Sequence, residues 1–526
     1  MNSSEPQVRA LELTIIPLLG SVILYWVYNK VLLGISRRNF KKENNCQPIP
    51  TYPHVDPIFG FDYWYALKKA AGSRNLLVWI REQYSLYGYT YFARLQTTHI
   101  INTCEPENLK AMHSTKFRDF GVDKRRHEAF VPLLGVNSIL LSNGATWKHK
   151  RAALAPSFTR SQYSNLPLFE KHILNLIGEI KAENAAAGQV DLTDYFHCCT
   201  FDITTELMYG KSVELLVNGD KELMKDMTRS AEGGQERWVL ARLAKLVGNP
   251  TFIDSASRVR RFMARYVDQA IAYRERLDHL KSLPIQEISK QNVGDSKAVE
   301  ADRVLYLHTV ALKTLDKAAL LDELTTILFA GRDSTAALLT NLFFVFAGNP
   351  EIWAKLREEI SVLNGQKPTF DQLKDLQYVQ SCLNESLRLD AVVPLNTRMA
   401  LVDTCLPRGG GPDGKSPIFV PAGTNIAFHV TALHRRKDLW GDDAEEFRPE
   451  RWEKIKGQGA WMYQPFGGGP RNCPGQHLSL TEAAYTIVRL AQEFSHIERV
   501  DDDPWVESIG LATLNLNGAK VRLTAA

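Results

Sequence analysis

Residues Leu320 to Ala347 carry apolar side chains on almost every side of a helix, and Gly348-Asn349-Pro350 ends the run. Such a helix spans about 40 Å at ~1.5 Å per residue. A helix that is apolar all round has to be enclosed, so the chain must build other helices around this one. Helical periodicity dominates from about residue 146 to 400. A further helix is predicted over Leu76–Tyr87, with short β-like runs at Tyr89–Leu95 and Thr98–Thr103. Proline, glycine and β-branched residues return between 393 and 430, and Arg408–Gly414 reads as a hairpin tip. There is no βαβ alternation, which argues against a doubly wound nucleotide domain. Gly409-Gly410-Gly411 has no lysine and helix after it, so it is not a phosphate loop. The fold class expected is mostly α with minor β.

Two segments break the ordinary pattern of a core. Ala330-Gly331-Arg332-Asp333-Ser334-Thr335 sits in the middle of the long helix. Charges inside a buried helix need partners or a function, and the small residues beside them leave room for a ligand. The second segment is Phe466-Gly467-Gly468-Gly469-Pro470-Arg471-Asn472-Cys473-Pro474-Gly475. Its glycines let backbone approach a flat cofactor. Its thiol suits a metal, loop amides can point at the sulfur, and Arg471 places a permanent cation nearby. A lone loop cysteine is more often an inert buried thiol, and the neighbours are what favour the metal.

The chain has 526 residues, 44% hydrophobic and 23% charged, with a formal net charge of +4. That balance gives no reason to invoke nucleic acid, and no zinc-finger or RNA-binding spacing appears. Seven cysteines are scattered along it, too sparse for a disulfide scaffold; most of the chain reads as facing a reducing compartment. Residues 280–303 are polar and read as a mobile surface loop. Leu13 to Ile35 is apolar except for Asn29 and Lys30, and Arg37, Arg38, Lys41 and Lys42 come directly after it. The run has the ~20 residues that cross a bilayer, and the positive-inside rule puts the chain beyond this basic cluster in the cytosol. The expected layout is a lumenal terminus over 1–12, a transmembrane anchor over 13–35, a basic and proline-rich linker over 36–60, and a cytosolic catalytic domain over 61–526. Pro48, Pro50, Pro53 and Pro57 make that linker a stiff spacer.

The pattern Phe466-x-x-Gly469-x-Arg471-x-Cys473-x-Gly475 resembles the haem-binding loop of the cytochrome P-450 family. Ala330–Thr335 resembles that family's oxygen-activation segment, with Asp333 at the acid position and Ser334 where threonine is usual. Glu385-x-x-Arg388 and Pro449-Glu450-Arg451 resemble its supporting charge motifs, and Trp147-x-x-x-Arg151 its propionate-binding helix. The order of these motifs is also the family's. Arg126–Gly135, Asp403–Pro407 and Phe447–Trp452 are similar to the fungal alkane and fatty-acid ω-hydroxylases.

The resemblance implies haem b held by Cys473, with Phe466 in the cofactor loop and Trp147, Arg151, Arg398 and Arg471 on the propionates. It implies proton delivery by Asp333 and Ser334, and a buried network of Glu385, Arg388 and Arg451. Electrons would come from a separate NADPH-cytochrome P-450 reductase, since no flavin or nicotinamide site is evident in the chain. Lys148 and Lys150 are expected to be exposed, either docking that reductase or solvating their helix. The implied activity is hydroxylation of a lipophilic substrate by a single-pass protein of the endoplasmic reticulum membrane. Oxidation of a fungal polyketide or terpenoid is the alternative, and a haem-thiolate isomerase or binding protein is a third. Pro474 has no amide hydrogen to offer the sulfur.

Overall fold

The structure is a computed structural model that describes residues 5–282, 305–455, 459 and 461–526, with side chains from residue 24 onward at all but a handful of positions. The long helix runs Lys317–Gly348 and buries most of its side chains. Asp316 caps its start by accepting from the Ala318 and Ala319 amides. Pro350 lacks the N–H that would extend it. Helices Pro250–Ser282, Gln377–Leu389 and Gln476–Glu493 pack on this central helix, with Leu192–Tyr209 alongside. One apolar cluster joins them. The contact with Leu192–Tyr209 is so close that a Cβ on Gly331 would lie 2.6 Å from the Thr204 hydroxyl. Gly331 therefore serves helix packing.

In chain order the first eight strands are β1 (Thr90–Leu95), β2 (Thr98–Thr103), β3 (Phe120–Gly121), β4 (Val190–Asp191), β5 (Leu395–Ala400), β6 (Thr404–Gly410), β7 (Ser416–Val420) and β8 (Asn425–His429). The largest sheet has the order β1-β2-β8-β5-β3, with β2 and β8 parallel and the other pairs antiparallel. β6 and β7 form the expected hairpin. β4 joins the strands Phe494–Arg499 and Lys520–Ala525. The helix predicted at Leu76–Tyr87 has those bounds. The molecule is mostly helical with minor sheet.

The N-terminal region departs from the expected layout. Helix α1 spans Glu5–Glu43, so the basic cluster Arg37–Lys42 continues the helix. Among the described residues, no helix is long and apolar enough to cross a membrane. The expected span over 13–35 lies partly outside the described side chains, and the described part contains Asn29 and Lys30. Leu24, Tyr25, Trp26 and Tyr28 are each more than half exposed. The proline-rich segment is no free spacer. Its backbone bonds to the body: the Gln47 amide to the Pro417 carbonyl, the Tyr52 amide to Phe92, and the Pro50 carbonyl to the Phe92 amide. The loop expected over 280–303 lies almost wholly outside the described residues; helix Pro250–Ser282 reaches its start.

Candidate functional site

The cysteine loop is built by short backbone bonds. A turn at Gly469–Arg471 receives the Asn472 amide on the Gly469 carbonyl at 3.1 Å, and the Cys473 amide donates to the Phe466 carbonyl at 2.9 Å. Gly469 has φ +64°, and a Cβ there would sit 1.7 Å from the His113 carbonyl oxygen. Only glycine lets the loop rest on that backbone. Pro474 gives the sulfur no amide, but the Gly475 N–H donates to it. Helix Gln476–Glu493 starts at once, with its positive end near the sulfur. Burial pushes the Cys473 thiol up, while the Gly475 amide and Arg151 pull it down. The side chain nonetheless faces open space on one side.

Cations converge beside this loop. Arg151, from the helix Gly144–Leu154, donates to Asn472 Oδ1 at 2.8 Å. Arg471 donates to the Ser142 carbonyl at 3.0 Å and lies 4.4 Å from the centre of the Trp147 ring. Arg398 projects from β5 and donates to the Thr397 carbonyl at 2.8 Å. Burial, then Arg126 and Arg471, depress Arg398 to about 9; burial, then Arg126, depress Arg471 to about 10. Arg126 thus joins the cluster, anchored to Asn396 Oδ1 at 2.8 Å. The sequence pattern around Arg126 gives it no place in the site. The nearby Asp123 is already committed to the Arg126 amide and the Thr397 hydroxyl.

Two orphaned donors sharpen the picture. Arg471 Nε and His113 Nε2 are buried with no partner among the described residues. Burial, then Arg398, depress His113 to about 3. Mutually repelling arginines with unfilled N–H groups call for an anion with several oxygens. The donor set fits haem: a thiol for the iron and a cationic pocket for two carboxylates.

The central helix faces this region with Ala330, which is exposed although it lies mid-helix. Ser334, one turn on, donates to the Ala330 carbonyl at 2.7 Å. Asp333 turns elsewhere. It is buried, pairs with Arg332 at 2.5 Å, and lies 4.0 Å from His197 Nδ1. Burial raises Asp333 and Arg332 opposes that rise. His197 is pushed well below its ordinary value by burial, then by Arg332. His197 Nδ1 and Arg332 Nε have no hydrogen-bond partner among the described residues. His197 was missed from sequence.

Behind the loop, Glu385 and Arg388 form a two-pronged pair, with both bonds at 2.8 Å. Arg451 Nε donates to Glu385 at 3.1 Å, and Trp452 Nε1 and the Arg448 amide complete its shell. Arg388 also fills the carbonyls of His434, Ala444 and Glu446. The three charges expected together are together. Lys148 is exposed. Lys150 is not free as expected: it bonds Glu323, which also accepts from the Tyr306 hydroxyl.

The family model for Cytochrome P450 matches residues 50–519. The chain is 38% identical over 514 residues to Cytochrome P450 monooxygenase himC of Aspergillus japonicus, across 97% of this chain and 88% of that one. It is 38% identical over 515 residues to Cytochrome P450 monooxygenase FPY7 of Fusarium mangiferae, across 96% and 95%. With Cytochrome P450 52A12 of Debaryomyces hansenii it shares 36% over 508 residues, 92% of each. A cysteine loop facing a cluster of arginines, a helical body and a match over nearly the whole chain agree: this protein belongs to the cytochrome P450 family and is a monooxygenase.

Proposed function

We propose that this P450 hydroxylates a lipophilic aliphatic substrate, a fatty acid or alkane, with Cys473 as the thiolate ligand of its haem. The reading rests chiefly on a cavity lined by Phe130, Leu134, Leu140, Val393 and Leu511, with Arg126 and Asn396 at its edge. Such a wall favours an alkyl chain by excluding water from it. The likeness of Arg126–Gly135 and Asp403–Pro407 to fungal ω-hydroxylases supports the same substrate class.

When bound, the haem supplies oxygen activation at iron. The protein's own residues do the rest. The Gly475 amide and the helix end behind it moderate charge on the Cys473 sulfur. Arg151, Arg398, Arg471 and Trp147 would hold the cofactor carboxylates. Burial favours the protonated form of the Asp333 carboxyl, and the Asp333–Ser334 pair serves proton delivery. Electrons come from a separate NADPH-dependent reductase. Helix α1, with its exposed Leu24, Trp26 and Tyr28, attaches the protein to the endoplasmic reticulum membrane.

A second reading is oxidation of a polyketide or terpenoid intermediate, favoured by Gln235, Thr397 and Thr513 among the same lining. Titration of the haem-loaded protein with fatty acids and with polycyclic metabolites, followed by the haem absorption shift, separates the two. Saturable binding of C12–C18 acids and terminally hydroxylated products are expected. A shift only with polycyclic compounds overturns the aliphatic reading.

A further inference from the structure

Cys405 lies on β6, outside the cysteine loop and its cluster of arginines. Lys116 places its ammonium 2.8 Å from the Cys405 sulfur and 3.0 Å from the Cys405 carbonyl oxygen. On the other side comes Cys46, two residues beyond Asn44, whose side-chain oxygen is 3.8 Å from the same sulfur. Cys405 is near enough to Cys46 to raise its thiol. Three reactive groups from three distant parts of the chain therefore meet: the segment after α1, the turn after His113, and the hairpin.

The approach is held in register by its surroundings. Arg37 bonds Asp403 at 2.9 Å, the Phe40 and Phe419 rings stand 5.5 Å apart, and the Gln47 amide donates to the Pro417 carbonyl. Phe419 is the cross-strand partner of Cys405. By contrast, Cys104, Cys199 and Cys382 are buried free thiols within the apolar clusters. Cys46 is half-exposed, which gives a small oxidant a way in.

We propose that Cys46 and Cys405 form a peroxide-responsive dithiol whose oxidation covalently ties the segment after α1 to the β6–β7 hairpin. A thiolate is the nucleophile toward peroxide, and an adjacent cation promotes it. With the Lys116 ammonium 2.8 Å from its sulfur, Cys405 is the thiol that attacks first. Cys46, pushed up to about 11 by burial and by Cys405, stays protonated until it acts second. In the first step the Cys405 sulfur attacks hydrogen peroxide, the O–O bond breaks, and a sulfenic acid and water result. In the second the Cys46 sulfur attacks that sulfenic sulfur, the S–O bond breaks, and the Cys46 proton leaves with the departing hydroxide as water. Two thiols and one peroxide give one disulfide and two waters. A cellular dithiol reverses the link by exchange.

The test uses full-length, haem-loaded protein in lipid discs, exposed to hydrogen peroxide, alkylated and digested without reductant. The expected product is a Cys46 peptide joined to a Cys405 peptide, two hydrogens lighter than their sum and released by dithiothreitol. Cys46→Ser and Cys405→Ser each abolish it, and Lys116→Met slows its formation by about tenfold. The proposal is overturned if both thiols remain alkylatable after peroxide. It is also overturned if each oxidises singly without a link, or if Cys405 is found joined to Lys116 through oxygen. An unchanged rate in Lys116→Met removes the lysine's part.

Discussion

Two buried clusters of charge are built on opposite principles. Around Glu385, each oxygen accepts at least two hydrogen bonds, and Arg388 spends its donors on Glu385 and three carbonyls. Around Asp333, the pairing is incomplete: among the described residues Arg332 Nε and His197 Nδ1 have no hydrogen-bond partner, and burial holds Asp333 up toward its protonated form. A saturated network fixes geometry, because any change strands a charge. An unsaturated one keeps a proton exchangeable, which is what delivery to a reaction centre needs. On the proposed function, the first cluster serves as scaffold and the second as machinery.

Breaking the scaffold has the largest expected effect. Glu385→Ala strands Arg388 and Arg451 in the interior and costs about 3–5 kcal/mol. The variant is expected to express with little or no haem absorption. Normal holoprotein would show that the saturated network is dispensable.

Breaking the machinery leaves the fold in place. Asp333→Asn keeps an acceptor for Arg332 but loses the exchangeable proton. Product formation is expected to fall by about 100-fold, the lower range for a lost proton-transfer group. Haem content and the melting temperature stay close to those of the parent. If Asp333→Asn instead loses haem as Glu385→Ala does, the distinction between the clusters fails. His197→Phe is the milder variant: it removes the imidazole 4.0 Å from Asp333, and a several-fold loss of product formation is expected.

The same contrast explains what could be read from the sequence. Glu385, Arg388 and Arg451 were expected together from the resemblance to the family's motifs, because their spacing alone is common on helix surfaces, and they do bond one another. The central helix was foreseen because apolar residues on every side leave no other place for it. Arg126, His113 and His197 were not. Each is a single polar residue with no periodic signature, and each gains its meaning from a partner hundreds of residues away or on another helix. Lys150 was expected at the surface for the same reason: nothing local reveals Glu323. The closeness of Gly331 to Thr204 was not legible either, since only packing shows it.

A third buried charge gives the smallest and cleanest test. Glu482, on the helix after the cysteine loop, is buried, its Oε1 has no partner among the described residues, and burial alone raises it well above 4.5. It belongs to neither cluster, having neither a saturating shell nor a cation beside it among the described residues. A carboxyl whose folded value is raised contributes fully below its unfolded value, and that contribution is lost as pH climbs toward the folded one. Glu482→Gln keeps the shape and removes the titration. The melting temperature of the parent relative to the variant is therefore expected to be highest near pH 5 and to fall by about a few degrees by about pH 8. A parent–variant difference that does not change with pH would mean that Glu482 is ionised in the fold and has a partner. It would then belong with the saturated scaffold beside Glu385.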